Sequence, residues 1–333
     1  MRPSRACEAR PMSLCSLRKA AGIFLCCCAL AACHKSGDGG NAAADNVPPP
    51  GHEDLSKDFS GDEAFAYTKA QVDFGPRPAG SEALAKTRDY IVDQLKQAGW
   101  DVELQKFTDD TPHGKIDFVN LIARFPLQAG KPASTTTQQA IVCSHYDTKF
   151  FDTIKFVGAS DGASSTGALI ELARVLARDP GLAARIELVF FDGEEAVAEW
   201  SATDGTYGSR HFAAQLHNTK QAGQFKFGIL WDMIGKKDVT ITLSPDSPPD
   251  MAKGIFSAAD ALNQRKHFTY YSQDVWDDQR PLNEIARIPT IDLIDFHYDY
   301  WHTADDTLDK LSPESLQIVG AVTLYYLQQR LAK

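Results

Sequence analysis

Cysteine is nearly missing from most of this 333-residue chain: of its seven, only Cys143 lies beyond residue 33. A lone thiol in the body has no internal partner, so a disulfide-stapled scaffold is excluded. Positive charge is scarce too. Thirty-four Lys and Arg stand against 44 Asp and Glu, a net charge of −10, which argues against nucleic acid as a partner, since phosphates call for a basic face. No internal repeat is apparent. The apolar run Ala20 to Ala32 is too short for a spanning helix and has signal-peptide length. With 43% apolar residues the chain can still bury a full core, as one large domain or two small ones.

The first 33 residues read as a targeting segment. Arg18 and Lys19 form a basic start, and the apolar run ends in Leu30-Ala31-Ala32-Cys33, which resembles a bacterial lipobox. That resemblance implies a lipid on Cys33; the alternative is an ordinary secretory signal with incidental cysteines. A start at Met12 instead of Met1 also leaves a complete signal. His34 and Lys35 follow, with no Asp to suggest inner-membrane retention, so the expected place is an outer-membrane anchor facing the periplasm. Residues 34–60, rich in Gly, Ala, Asn, Asp and Pro, read as a tether. Residues 61–333 remain as a single catalytic domain.

Within that body, helix-like and strand-like segments alternate. Apolar spacing predicts helices over 62–72, 82–98, 163–178, 207–216, 251–263 and 313–331. Strands are expected over 101–107, 116–125, 140–143, 186–191, 227–231 and 290–294. The run 186–191, apolar apart from Glu187, suits a central strand covered on both faces. The fold expected is α/β, with a mixed, largely parallel sheet sandwiched between helices.

Five possible metal ligands are spread along it: His145, Asp161, Glu195, Asp232 and His302. Imidazole and carboxylate without thiolate suit Zn²⁺ in a catalytic site. His145, Glu195 and Asp232 fall at or just past strand ends, where open α/β sheets bind their ligands. Singly, each has an ordinary reading: His145 as a hydrogen-bonded structural residue, Asp161 as a helix cap, Glu194 and Glu195 as a solvated pair. Directly after an apolar strand, however, two adjacent carboxylates repel, and a cation would relieve them. Glu194 could carry protons instead of metal, and Asp147 could orient its neighbours.

The ordered motifs resemble the zinc aminopeptidase family M28, and more closely its branch of animal-type glutaminyl-peptide cyclotransferases. The likeness runs from about residue 62 to 331. His145-Tyr146-Asp147-Thr148-Lys149, Phe156 to Asp161, and Phe190 to Ala196 with Tyr207-Gly208-Ser209-Arg210-His211 carry it. The stretch between Glu195 and Gly208-Ser209, with Trp200, is similar to an insertion of the cyclases; Trp301 before His302 and the Asp277-Asp278 pair are similar to theirs too. Departures are Gln279 where the cyclases usually carry His, an Asp- and Tyr-rich 295–300 in place of a Pro-rich segment, and Ser144 in place of a disulfide Cys.

The resemblance implies conversion of N-terminal Gln of peptides and proteins to pyroglutamate with release of ammonia. It implies one Zn²⁺ per chain on Asp161, Glu195 and His302, and Glu194 as the proton carrier. Asp232 and Asp277 would hydrogen-bond around Glu194 and the leaving nitrogen, Trp200 and Trp301 would wall the pocket, and His145 and Asp147 would support it. A monomer is expected. The rival readings are a two-zinc aminopeptidase that adds His145 and Asp232 as ligands, and a binding lipoprotein without catalysis.

Overall fold

A computed structural model describes residues 53–128 and 130–331. The signal-peptide and lipobox readings over 1–33, and most of the tether, lie outside the described residues. No helix among them is long and apolar enough to cross a membrane.

Eight strands form one sheet in the order β1-β2-β4-β3-β5-β8-β6-β7. They are β1 (Asp101–Thr111), β2 (Gly114–Arg124), β3 (Ala140–His145), β4 (Ile186–Phe191), β5 (Phe227–Asp232), β6 (Ile241–Leu243), β7 (Phe268–Tyr270) and β8 (Thr290–Ile294). The four central strands β4, β3, β5 and β8 run parallel, and the hairpin β1-β2 joins them through the antiparallel pairing of β2 with β4. The helices are α1 (Gly61–Asp73), α2 (Glu82–Gln97), α3 (Ser165–Leu176), the single turn α4 (Pro180–Ala183), α5 (Tyr207–Asn218), α6 (Pro249–Ala261), the turn α7 (Gln279–Pro281) and α8 (Pro313–Leu331). The mixed, largely parallel sheet between helices is therefore as expected.

Strand β4 shows how sequence makes this architecture. Ile186, Leu188 and Phe190 enter the core under α1, α3 and α8, while Val189 and Phe191 enter the one under α5. Alternation sends successive side chains to opposite faces, and both faces are covered. Each fully buried side chain of this size contributes about 1.5–3 kcal/mol. Glu187 is the exception, kept buried by the Arg124 guanidinium at 2.5 Å.

Two expectations need correction, and two short strands go unforeseen. The helix expected from residue 163 begins at Ser165, after an irregular turn over Ala159–Ser164 in which Gly162 takes φ +85°. A Cβ there would stand 2.6 Å from the Asp147 carbonyl oxygen, so only glycine lets the turn approach. The tether ends earlier than its composition suggests, because Leu55 and Phe59 are buried in the core and Leu55 N–H donates to Gln328 Oε1. Strands β6 and β7 escape sequence reading: three residues each are too few for a period to show.

Candidate functional site

Parallel strands that end together put their last residues on one rim. His145 closes β3 and Asp232 closes β5, while Asp192 to Glu195 follow β4, whose Phe191 is in register with His145. His145 Nε2 lies 3.1 Å from Asp232 Oδ1 and 3.3 Å from Asp161 Oδ1. The turn over Ala159–Ser164 delivers Asp161 to the same place.

His302 arrives from the far loop with φ +56°, a left-handed conformation uncommon for a residue with a side chain. Its Nε2 is 3.1 Å from Glu195 Oε1 and 3.3 Å from Asp161 Oδ2. The ring stacks on Trp301 at 4.3 Å, with Phe151 and Phe156 edge-on at 5.7 Å. Asp161 thus touches both histidines, one with each oxygen. Two trios have donor atoms within 4.8 Å of one another: Asp161, Glu195 and His302, and Asp161, His145 and Asp232. Asp161 Oδ2 is buried without a hydrogen-bond partner. An orphaned carboxylate oxygen between an imidazole and a second carboxylate fits a divalent cation with nitrogen and oxygen preference.

The electrostatics agree. Burial opposes charge on His302, but the adjacent carboxylates of Asp161 and Glu195 outweigh it and raise the imidazole to about 10. His145 is likewise raised despite burial, by Asp147, Asp161 and Asp232. Asp161 is held below the usual carboxylate range by both histidines, against its own desolvation. A cation bound among these groups would displace the protons. Glu194 is raised well above its ordinary value, first by burial and then by Asp277 and Glu195, against the pull of His145. Asp277 is raised by burial, Asp232 and Asp278. A carboxyl so placed holds a proton more readily than an exposed one.

A cavity of about 390 Å³ opens over Asp161, Glu194, Glu195 and His302, with Asp232 and Asp277 in its lining. Trp200 and Trp301 form part of its wall, both partly exposed. A second cavity of about 280 Å³ touches Glu195 and Asp147 from the side of Ser81, His113 and Phe150. It lacks Glu194 and His302, so the first cavity is where the chemistry converges.

Asp161, Glu194, Glu195, Trp200, Asp232, Asp277, Trp301 and His302 line this cavity, with His145 and Asp147 beside them outside its lining. The two oxygens of Asp147 accept the amides of Glu194 and Glu195 at 3.1 and 3.2 Å, fixing the turn that divides the two carboxylates. Ser144 donates within the core to the His145 carbonyl. Gln279 donates to the Val275 carbonyl, which places its side chain behind the cavity wall.

Four contributors escape a reading of the sequence. Trp276, half exposed, completes the aromatic wall; its only signal is its place one residue before Asp277. Asp306 accepts the amides of Ser160 and Asp161 and the Tyr298 hydroxyl, tying the Asp161 turn to the His302 loop. Arg77, fully buried, donates to the carbonyls of Tyr146, Val157 and Gly158. It thereby joins the segments bearing His145 and Asp161; burial lowers its pKa to about 10 against the attraction of Asp306, Asp147 and Asp161. The fourth, Asp204, organises the loop that carries Trp200.

Known proteins share this fold. The profile of peptidase family M28 matches residues 120–327. A glutaminyl-peptide cyclotransferase of Dictyostelium discoideum is 29% identical over 278 residues, 69% of this chain and 75% of that protein. The crystal structure of a glutaminyl cyclase from an Acidobacteriales bacterium is 35% identical with a TM-score of 0.75, covering 87% of this chain and 99% of that one. A Zn-dependent exopeptidase from Parabacteroides distasonis is 27% identical with a TM-score of 0.73, covering 82% and 99%.

Proposed function

Since this chain belongs to peptidase family M28, we infer that it uses that family's rim for cyclisation: it is a glutaminyl-peptide cyclotransferase acting on peptides and proteins that begin with Gln. One observation carries the reading. The loop between Glu195 and α5 brings Trp200 into the wall of the cavity above Asp161, Glu195 and His302, in a chain 35% identical to a glutaminyl cyclase. A small aromatic-walled cavity favours a folded, self-reacting Gln side chain over an extended peptide with a water molecule.

In this reading Asp161, Glu195 and His302 hold one Zn²⁺, which when bound supplies Lewis-acid polarisation of the Gln γ-carbonyl. The substrate's α-amine attacks that carbonyl carbon, and the carbon–nitrogen bond to the side-chain amide breaks. Glu194 takes the proton the amine loses and passes it to the departing nitrogen, which leaves as ammonia. Its raised pKa, caused chiefly by burial, suits a group that must be base and then acid. Asp232 and Asp277 line the same cavity and accept hydrogen bonds from the amine and from the leaving nitrogen. Trp200 and Trp301 hold the side chain in ring-closing geometry, where proximity supplies much of the rate.

The trio of His145, Asp161 and Asp232 keeps a second reading in play, a two-zinc aminopeptidase in which Glu194 activates water. Incubating the purified protein with a Gln-initiated peptide separates the two. Cyclisation is read as a mass loss of one ammonia, whereas release of free Gln would overturn it. The chain would act as a monomer, since every proposed residue comes from one copy. The motif Leu30-Ala31-Ala32-Cys33 supports an outer-membrane lipoprotein facing the periplasm. Labelled fatty acid should be incorporated by the wild type and not by Cys33→Ser; incorporation in the variant would refute the anchor.

A further inference from the structure

One buried carboxylate neither touches the candidate metal donors nor lines the cavity, yet it organises the cavity's wall. After Glu195 the chain runs out as a loop and returns at α5. This loop is closed at its base by Thr206 N–H to the Glu194 carbonyl, 2.7 Å, and Tyr207 N–H to the Gly193 carbonyl, 2.8 Å. Inside the loop sits Asp204, 4% exposed. Its Oδ1 accepts the Val197 amide at 2.8 Å and the Tyr207 hydroxyl at 2.8 Å; its Oδ2 accepts the amides of Ala198 at 2.9 Å and Glu199 at 3.0 Å. Four donors on one anion are charge-assisted bonds of the stronger kind.

Trp200 follows Glu199 directly, and its ring lies against Gly205. That glycine has φ +119°, and a Cβ on it would stand 2.9 Å from Trp200 Cζ3. Arg210 clamps the same segment from α5, donating to the carbonyls of Gly205 and Thr203 and lying over the Tyr207 ring. The backbone before Trp200 is thus held by Asp204, and its ring rests on Gly205. These two restraints set the direction in which the indole leaves the loop.

We propose that Asp204 and Gly205 are positioning residues of the substrate pocket, fixing where Trp200 stands in its wall and hence how tightly the first residue of the substrate is held. This rests on the cyclase reading. The loop base is pinned independently by Gly193 and Glu194, so loosening the tip leaves Glu194 and Glu195 in place. The expected signature is weaker substrate binding with little change in chemistry or metal.

Asp204→Asn keeps the size but turns one acceptor oxygen into a donor facing other donors. It should raise KM for a Gln-initiated dipeptide about tenfold, with kcat and zinc content near wild type. Backbone hydrogen exchange over residues 196–205 should quicken. Gly205→Ala should give the same KM rise while Asp204 keeps its partners, and Tyr207→Phe, losing one donor of four, a smaller one. Unchanged KM and unchanged exchange in Asp204→Asn would overturn the proposal. So would an equal loss of kcat and zinc, which would make Asp204 a mere support of the Glu194–Glu195 turn. Should the wild type cyclise no Gln peptide, the cyclase reading fails by itself; exchange over 196–205 then still decides whether Asp204 holds the loop.

Discussion

The two halves of the candidate metal centre share Asp161 and differ in almost everything else. His145 and Asp232 are the last residues of paired parallel strands, 1% and 7% exposed, placed by sheet register. Their facing polar atoms already satisfy one another at 3.1 Å. Glu195 and His302 come from loops; the His302 side chain is 23% exposed, its backbone is left-handed, and the Asp161 oxygen facing it has no hydrogen-bond partner. One half is a closed, internally paired part of the scaffold. The other is paired too, His302 Nε2 with Glu195 Oε1 at 3.1 Å, but its imidazole lines the cavity, and the Asp161 oxygen beside it has no hydrogen-bond partner. A catalytic metal needs a free position for its substrate, and the half whose imidazole faces the cavity offers the more accessible one.

The largest expected effect tests that contrast directly. His302→Ala should lose both zinc and activity, because a site with three protein ligands cannot spare one. Metal analysis of the purified variant checks this, and chelation of the wild type should reproduce the loss, with recovery on adding zinc. Stoichiometric zinc in His302→Ala would move the centre to the closed half. Next comes Glu194→Gln, which should keep zinc and fold while kcat falls about 10²–10⁴-fold, the usual worth of a general acid–base. If zinc departs from Glu194→Gln yet stays in Glu195→Gln, the two neighbouring carboxylates have exchanged roles.

How much of this is legible in the sequence depends on where each residue finds its partners. Strands β4 and β8 and helix α8 have the expected bounds because each is an apolar segment closed by local breakers such as Pro289 and Pro313. The ligand-type residues and the Glu pair can be found because each belongs to a short motif at a strand end or in a tight loop. Asp306 and Arg77 cannot. The partners that tie them to the site are backbone groups 69 to 146 residues away, and neither Asp before Thr nor Arg after Pro announces such a contact. Asp204 is hidden differently: its partners are near, but three of the four are plain amides, visible only once the loop has folded around it.

Arg77 sharpens the comparison at an intermediate magnitude. It donates to the Tyr146 carbonyl beside His145 and to the Val157 and Gly158 carbonyls before the Asp161 turn, so it holds the shared ligand against the closed half. Arg77→Lys keeps the charge but loses the planar fork that reaches several carbonyls at once. Zinc affinity, measured by competition with a chromophoric chelator, should fall about 10–100-fold, as for other residues that orient ligands. An unchanged affinity with a lower melting temperature would make Arg77 only a packing residue.

The smallest effect is expected where the closed half is edited while its hydrogen bonds are kept. In His145→Gln the side-chain amide nitrogen can reach the place of imidazole Nε2 and still donate towards Asp232 and Asp161. Stability should change by only about 1 kcal/mol, the net worth of one hydrogen bond, as denaturant unfolding would report. Under the one-zinc reading the metal content stays at one per chain, and peptides beginning with Leu or Ala release no amino acid before or after the change. A second zinc would use that imidazole as a ligand, and an amide is a poor substitute for it. A wild type with two zincs that drops to one in His145→Gln, together with aminopeptidase activity, would turn the closed half into a working one. The water activated between two metals would then replace the substrate's own amine as the nucleophile.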